Sequence, residues 1–139
     1  MLKLNIKCHK MKVIPEGNYF FILSKGNNAG KPLNEPCSNC FICYCKSEAE
    51  KENLYWLFYG LWQGNYFKPF ITGSVIPFIQ IGNVKQVAQT ALAKIELKPE
   101  QYAKNISTMQ LLDKHSNVVH EQLKLIKETK KLLMYQVLK

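Results

Sequence analysis

Between residues 110 and 137, two adjacent columns of apolar side chains each recur every seven positions. One holds Leu111, Val118, Leu125 and Leu132, the other Leu112, Val119, Ile126 and Leu133. Around them lie His, Asp, Glu, Gln, Thr and six Lys, from Lys114 to Lys139. A seven-residue repeat sustained this far dictates an amphipathic helix whose apolar side needs a partner helix. It is too long and too lopsided for an ordinary core helix. The pattern therefore predicts a globular domain over residues 1–98 and a long pairing helix over 99–139. Pro99 suits the first position of that helix, where its fixed φ and missing N–H do no harm.

The remaining segment is large enough for its own core: the chain has 139 residues, of which 47% are hydrophobic, which excludes general disorder. Its formal net charge is +9, and every one of the nineteen basic residues is Lys. Such an excess favours an anionic partner, nucleic acid first and an anionic membrane surface second. Without Arg, the chain has no means of making the commonest bidentate pairing with guanine, so any reading of bases must use Lys, Asn, Gln, Ser and Thr. No apolar stretch approaches the ~18 residues of a spanning helix, and the alternation Met1, Leu2, Lys3, Leu4, Asn5, Ile6, Lys7 is not a signal core. A cytoplasmic protein is expected.

Cys37, Cys40, Cys43 and Cys45 lie within nine residues, a density that raises zinc, with Cys8 and His9 as a distant pair. Residues 40–45 also read as a β-strand, which sends Cys43 and Cys45 to one face and Cys40 to the other, so the sulfurs cannot converge on one tetrahedral ion. Core packing of free thiols is the preferred reading. A metal or nucleophilic thiol site is the alternative, although no His or carboxylate stands at a telling distance from Cys37 or Cys40. We therefore expect no enzyme, no metal and no cofactor. The Gly26 to Lys31 segment imitates a phosphate-cradling loop. It has three residues between its glycines instead of four, and Pro32 follows Lys31 in place of Ser or Thr. It reads instead as a polar loop between strands at residues 19–23 and 41–45.

A helix is expected from Ser47 to Trp62, with Glu48, Glu50 and Glu52 near its positive end and the aromatic run Tyr55, Trp56, Phe58, Tyr59 and Trp62 packed inward. Two short strands at residues 67–74 and 75–81, a Gly82/Asn83 turn and a strand at 91–97 complete the expectation. The fold class is then α+β: a small twisted sheet, mixed or antiparallel, a packed aromatic helix, and a long C-terminal helix forming a coiled-coil arm.

Three segments resemble one half of the specificity subunit of type I restriction-modification systems, a target recognition domain with its spacer helix. They are Tyr55 to Tyr59; Thr72, Gly73, Ser74 and Ile79 followed by Ile81 to Lys85; and Ile95, Pro99, Glu100, Gln101, Ile106, Leu112 and Asp113 at the entry to the long helix. A complete subunit of that family carries two such domains and two helices, whereas this chain carries one of each. The resemblance implies a non-catalytic module that reads a half-site in double-stranded DNA, restores the two-domain layout as a homodimer with antiparallel arms, and docks a methyltransferase subunit. The polar residues at predicted turns and strand ends form the expected pool of DNA contacts: Lys25, Asn27, Asn28, Lys31, Asn65, Lys68, Gln80, Asn83 and Lys85. Two rival classes stand beside this one. The first is a protein-interaction module of a phage or mobile element that reuses the fold without touching DNA. The second is a small thiol or zinc enzyme built on Cys37 to Cys45.

Overall fold

In a computed structural model, which describes residues 3–139, the chain is an α+β protein. Met1 and Leu2, which open the alternating N-terminal segment, lie outside the described residues. The elements run β1 (Asn5–Cys8), β2 (Asn18–Leu23), β3 (Pro32–Leu33), β4 (Cys40–Cys45), α1 (Glu48–Gln63), α2 (Ile81–Ile95) and α3 (Pro99–Leu138). The chain divides into two compact units, one up to Pro99 and one over Glu100–Lys139.

The four strands form one sheet in the order β1-β4-β2-β3, antiparallel throughout. β2 and β4 are central, which suits their aromatic, β-branched and thiol side chains. In β4, Cys43 pairs with Phe20 of β2 and Ile6 of β1, so these three share a face. That face meets α1: the Phe20 ring lies edge-on to Phe58 at 5.6 Å and to Tyr55 at 5.8 Å. Cys40 and Ile42 point to the other face with Phe21.

Helix α1 starts where its sequence provides a cap. The Ser47 hydroxyl accepts the Glu50 N–H at 3.1 Å, as an N-cap does, and the Glu50 carboxylate reaches back to the Lys46 N–H, one residue before the N–H that a capping box engages. Leu54, Leu57, Phe58 and Leu61 recur at helical spacing and are its buried residues. The aromatic run is thus divided: Phe58 enters the core, Tyr55 packs at its edge against Phe20, and Trp56, Tyr59 and Trp62 are likewise half-buried. α1 ends by passing Asn65 through the left-handed region at φ 62°. The Tyr66 N–H then reaches Leu61 O at 2.9 Å and Asn65 N–H reaches Trp62 O at 3.1 Å, closing a left-handed cap of the kind Gly or Asn supports.

Two expectations are corrected here. Residues 67–81 are not a pair of strands. A 3-10 turn at Lys68–Phe70 is followed by single bridges, Thr72 to Phe78 and Lys25 to Phe78. Pro69 and Pro77 have no N–H for a ladder, and Gly73 turns the backbone at φ +113° where a Cβ would press on the Ile76 carbonyl. Residues 82–97 are likewise not a turn and a strand, for Ile81–Ile95 is one helix. Val84 and Ala88, four apart, are fully buried, with Leu92 and Ile95 half-buried on the same side. The alternation at Ala91, Ala93 and Ile95 fits a short strand equally well, but burial against α1 and β1 selects the helix.

The second unit is helix α3 of 40 residues. All eight residues of the two heptad columns are exposed, from 38% at Val119 to 68% at Leu111. Adjacent columns stand about 100° apart on a helix, and the line between them carries His115, Gln122, Thr129 and Gln136. Leu123 and Val137, also exposed, widen the apolar side. Among the described residues no helix is long and apolar enough to cross a membrane.

Gly30 sits at φ +99°, and a Cβ there would overlap the Phe67 ring. Gly30→Ala is therefore expected to destabilise the first unit by about 2–4 kcal/mol through strain and overpacking. Urea denaturation should show a lowered midpoint, whereas Gly82→Ala, where nothing lies within 4 Å, should leave it unchanged or raise it.

Candidate nucleic-acid interface

The loop after β2 is held as a compact polar turn by its own backbone. Gly30 N–H donates to Leu23 O at 2.7 Å, Lys31 N–H to Asn28 O at 3.0 Å and Ala29 N–H to Gly26 O at 3.2 Å. Its outer edge is tied to the segment ahead of α2, where Gly26 N–H donates to Pro77 O at 2.7 Å and Ile79 N–H to Ser24 O at 3.0 Å. Ala29 is buried, and the bare Gly30 lets Phe67 lie against the loop. Phe67 in turn stacks on Phe58 at 5.8 Å, with the ring planes 19° apart. One aromatic pair thus anchors the loop and the end of α1 together on the core.

Between them opens a cleft of about 130 Å³ lined by Asn27, Asn28, Ala29, Trp62, Gln63, Asn65, Phe67, Lys68 and Ile71. Four expected DNA contacts, Asn27, Asn28, Asn65 and Lys68, meet here from segments almost forty residues apart. Lys31 joins them at the rim, its ammonium 4.9 Å from the centre of the Trp62 ring, a cation–π contact that stabilises by about 0.5–1 kcal/mol at an exposed site. Lys25 lies in the same loop, paired through its backbone with Phe78. The other three stand apart from the lining. Gln80 is the N-cap position of α2 without a side-chain cap bond, and Asn83 and Lys85 lie in its first turn and a half.

Trp62 and Gln63 lie outside the expected pool, because an aromatic on an amphipathic helix ordinarily packs inward. Trp62 instead ends a ladder of edge-on contacts along the outside of α1: Tyr55 to Trp56 at 5.6 Å, Trp56 to Tyr59 at 4.9 Å and Tyr59 to Trp62 at 5.8 Å.

The polar part of the lining is of one chemical kind. Four amide side chains offer paired donors and acceptors, Lys68 supplies positive charge, and no carboxylate, imidazole or thiol takes part. Such a set can hold a phosphate oxygen or the hydrogen-bonding edge of a base.

The cysteines lie elsewhere. Cys40 Sγ donates to Cys37 O at 3.2 Å and Cys37 Sγ to Asn39 O at 3.3 Å, and no group of three His, Cys, Asp or Glu among the described residues could hold a metal ion. Burial pushes the Cys40 thiol up. On the other face, the Cys43 thiol is raised strongly by its hydrogen bond with Cys45 and then by burial, while the same bond lowers Cys45.

The chain belongs to a family of unknown function, DUF6943, whose profile matches residues 6–136. No curated protein and no solved structure matches it.

Asn65→Gly should keep the cap, because Gly accepts the left-handed conformation at least as well, while removing the amide from the cleft. We expect unchanged thermal stability with any change in ligand binding assignable to the side chain. A short iodoacetamide pulse at pH 8 should modify the exposed Cys8 and half-buried Cys45 and spare Cys40 and Cys43, mapped by mass spectrometry. The pair predicts an alkaline limit as well. Above ~8.5 both thiols ionise in the unfolded chain, whereas the folded pair releases the Cys45 proton and keeps that of Cys43. The folded state then binds more protons, so stability falls as pH rises past that value. Cys43→Ala should flatten the decline in urea midpoint between about pH 9 and pH 10.

Proposed function

We propose that this protein is a non-catalytic module that reads a short half-site in duplex DNA, the counterpart of one half of a type I restriction-modification specificity subunit. Two copies pair through α3 and so read two half-sites at a fixed spacing. A methyltransferase subunit is the further partner this reading implies, and the cytoplasm its compartment. The observation that carries it is the convergence of Asn27, Asn28, Asn65 and Lys68 around one cleft with Lys31 at its rim, on a chain of net charge +9.

The division of labour follows from the side chains. Lys25, Lys31 and Lys68 neutralise phosphates and supply affinity that falls with salt. Asn27, Asn28 and Asn65 can pair with base edges, adenine best of all. The exposed apolar columns of α3 supply the pairing surface. Apolar exposure of this extent on a folded chain marks an interaction site.

The rival reading, a protein-interaction module of a phage or mobile element that touches no DNA, draws on that same apolar face. Charge distribution favours DNA. Residues 1–99 carry twelve Lys against six Asp and Glu, so the positive excess is not confined to the arm, which has seven Lys against four Asp and Glu over residues 100–139.

The test is a salt titration against a random duplex pool, with sequencing of the retained DNA. We expect enrichment of a two-part motif with fixed spacing. Replacing Lys25, Lys31, Lys68 and Lys85 together with Gln should shallow the salt dependence by about one unit for each phosphate left without its lysine, and an unchanged slope would sink the assignment. Sedimentation of the full chain at tens of micromolar should give twice its 16.1 kDa mass. A monomer there would remove the pairing claim.

A further inference from the structure

The sheet has a second face that neither α1 nor α2 covers. Phe20 and Cys43 point toward α1, and Leu4, just before β1, and Ile6 of β1 are buried on that same side. α2 touches β1 and α1, and the exposed Asn5 and Lys7 leave it only the Leu4 and Ile6 side. Cross-strand pairing fixes what the opposite face presents. Tyr44 of β4 stands directly between Tyr19 of β2 and Asn5 of β1, and in the next row Ile42 stands between Phe21 and Lys7. Phe21 and Ile42 are buried at 2% exposure each, with His9 4.9 Å from Phe21. Tyr19 and Tyr44 are only half-buried. Directly paired residues hold their Cβ atoms about 4.5–5.5 Å apart, so the two tyrosines spring from neighbouring positions on the central strands. Tyr19 is braced from below by an edge-on contact with Phe21 at 5.5 Å.

The charge around this pair is mainly positive. None of the four strands contains a carboxylate. Lys7 flanks the rings on β1, Lys3 continues the same alternation beyond Asn5, and Lys46 follows the end of β4; Lys3, Lys7 and Lys46 are all exposed. Of the acidic residues close in sequence, Glu16, three positions before Tyr19, is exposed, while Glu50 is held by the Lys46 N–H and Glu48 faces Lys51 at 3.9 Å. Two tyrosines at paired positions of one sheet, with lysines on flanking residues and Asn5 opposite Tyr44, suit unpaired bases that stack while their phosphates are neutralised. Duplex DNA keeps its bases stacked inside and could not use the rings.

We propose that this sheet face binds single-stranded nucleic acid, with Tyr19 and Tyr44 stacking on two successive bases, Lys3, Lys7 and Lys46 on the phosphates and Asn5 at a base edge. The site is distinct from the cleft at Asn27 and Lys68, since Tyr19 is the second residue of β2 and the cleft loop follows the strand's end. It goes beyond duplex reading and does not rest on it.

Fluorescence anisotropy of the full chain with labelled dT12 and with a labelled 12-base-pair duplex separates the two sites. The parent protein is expected to bind dT12 in a salt-dependent manner. Y19L/Y44L should weaken dT12 binding about tenfold or more, the scale of removing one stacked base, and leave duplex binding and the far-ultraviolet circular dichroism unchanged. Y19F/Y44F should bind dT12 like the parent, and K3Q/K7Q should shallow the salt slope by about 0.7 per lysine. If the Leu variant does not fold, photocrosslinking of a bromodeoxyuridine oligonucleotide to the parent should map to Tyr19 and Tyr44. Absence of dT12 binding at low salt, an unaffected Y19L/Y44L variant, or crosslinks confined to the cleft loop would each overturn the proposal. Loss of duplex binding alone, with dT12 binding intact, would count against the cleft and not against this face.

Discussion

Contact between the Phe20, Phe58 and Phe67 rings organises the first unit. Phe20 projects from the centre of the sheet, Phe58 meets it from α1, and Phe67 stacks on Phe58 after the helix has ended and the chain has doubled back. All three are fully buried, and burial of each side chain stabilises by about 1.5–3 kcal/mol. Through Phe67 the same stack reaches Gly30, where only a hydrogen side chain leaves room for the ring. The loop after β2 and the segment after α1 are therefore fixed to one another by the core itself.

That dependence explains why the cleft is rigid on one side and polar on the other. Its floor is Phe67, Ala29 and Ile71, extensions of the core; its walls are Asn27, Asn28, Gln63, Asn65 and Lys68. Asn65 has two roles at once. Its left-handed backbone ends α1, and its side chain lines the cleft, so a residue chosen for a turn also becomes a donor and acceptor at the site. Lys31 over Trp62 shows the opposite economy: an aromatic that leaves the helix interior is covered by a cation which a ligand phosphate could draw away.

The two faces of the sheet differ for a related reason. β2 and β4 are apolar on both sides, a pattern usual for strands covered twice. One side receives α1. The other carries its own small cluster, Phe21, Cys40 and Ile42, with Tyr19, Leu33, Cys37 and Tyr44 packed around it. The tyrosines at its rim keep part of each ring in solvent, next to lysines from the edge strand. α3 presents a third surface, apolar and exposed along most of its length, so the chain carries chemically different faces.

The sequence alone determined the elements whose signals are local and redundant. Ser47 and Glu50 form a cap whatever lies beyond them, β2 and β4 are runs of strand formers bounded by turn residues, and the heptad columns persist far too long to be anything but helix. Tertiary structure decided the rest. Residues 82–97 have a pattern that fits both periods, and only burial of Val84 and Ala88 made them α2. Residues 67–81 look strand-like in composition, yet Pro69 and Pro77 remove the N–H groups a ladder needs, and the loop after β2 takes the pairing that remains. The convergence of Asn27 and Asn28 with Asn65 and Lys68, and the outward turn of Trp62, have no local signal of comparable strength. The convergence depends on where Phe67 packs, a contact between residues distant in sequence that no periodicity encodes.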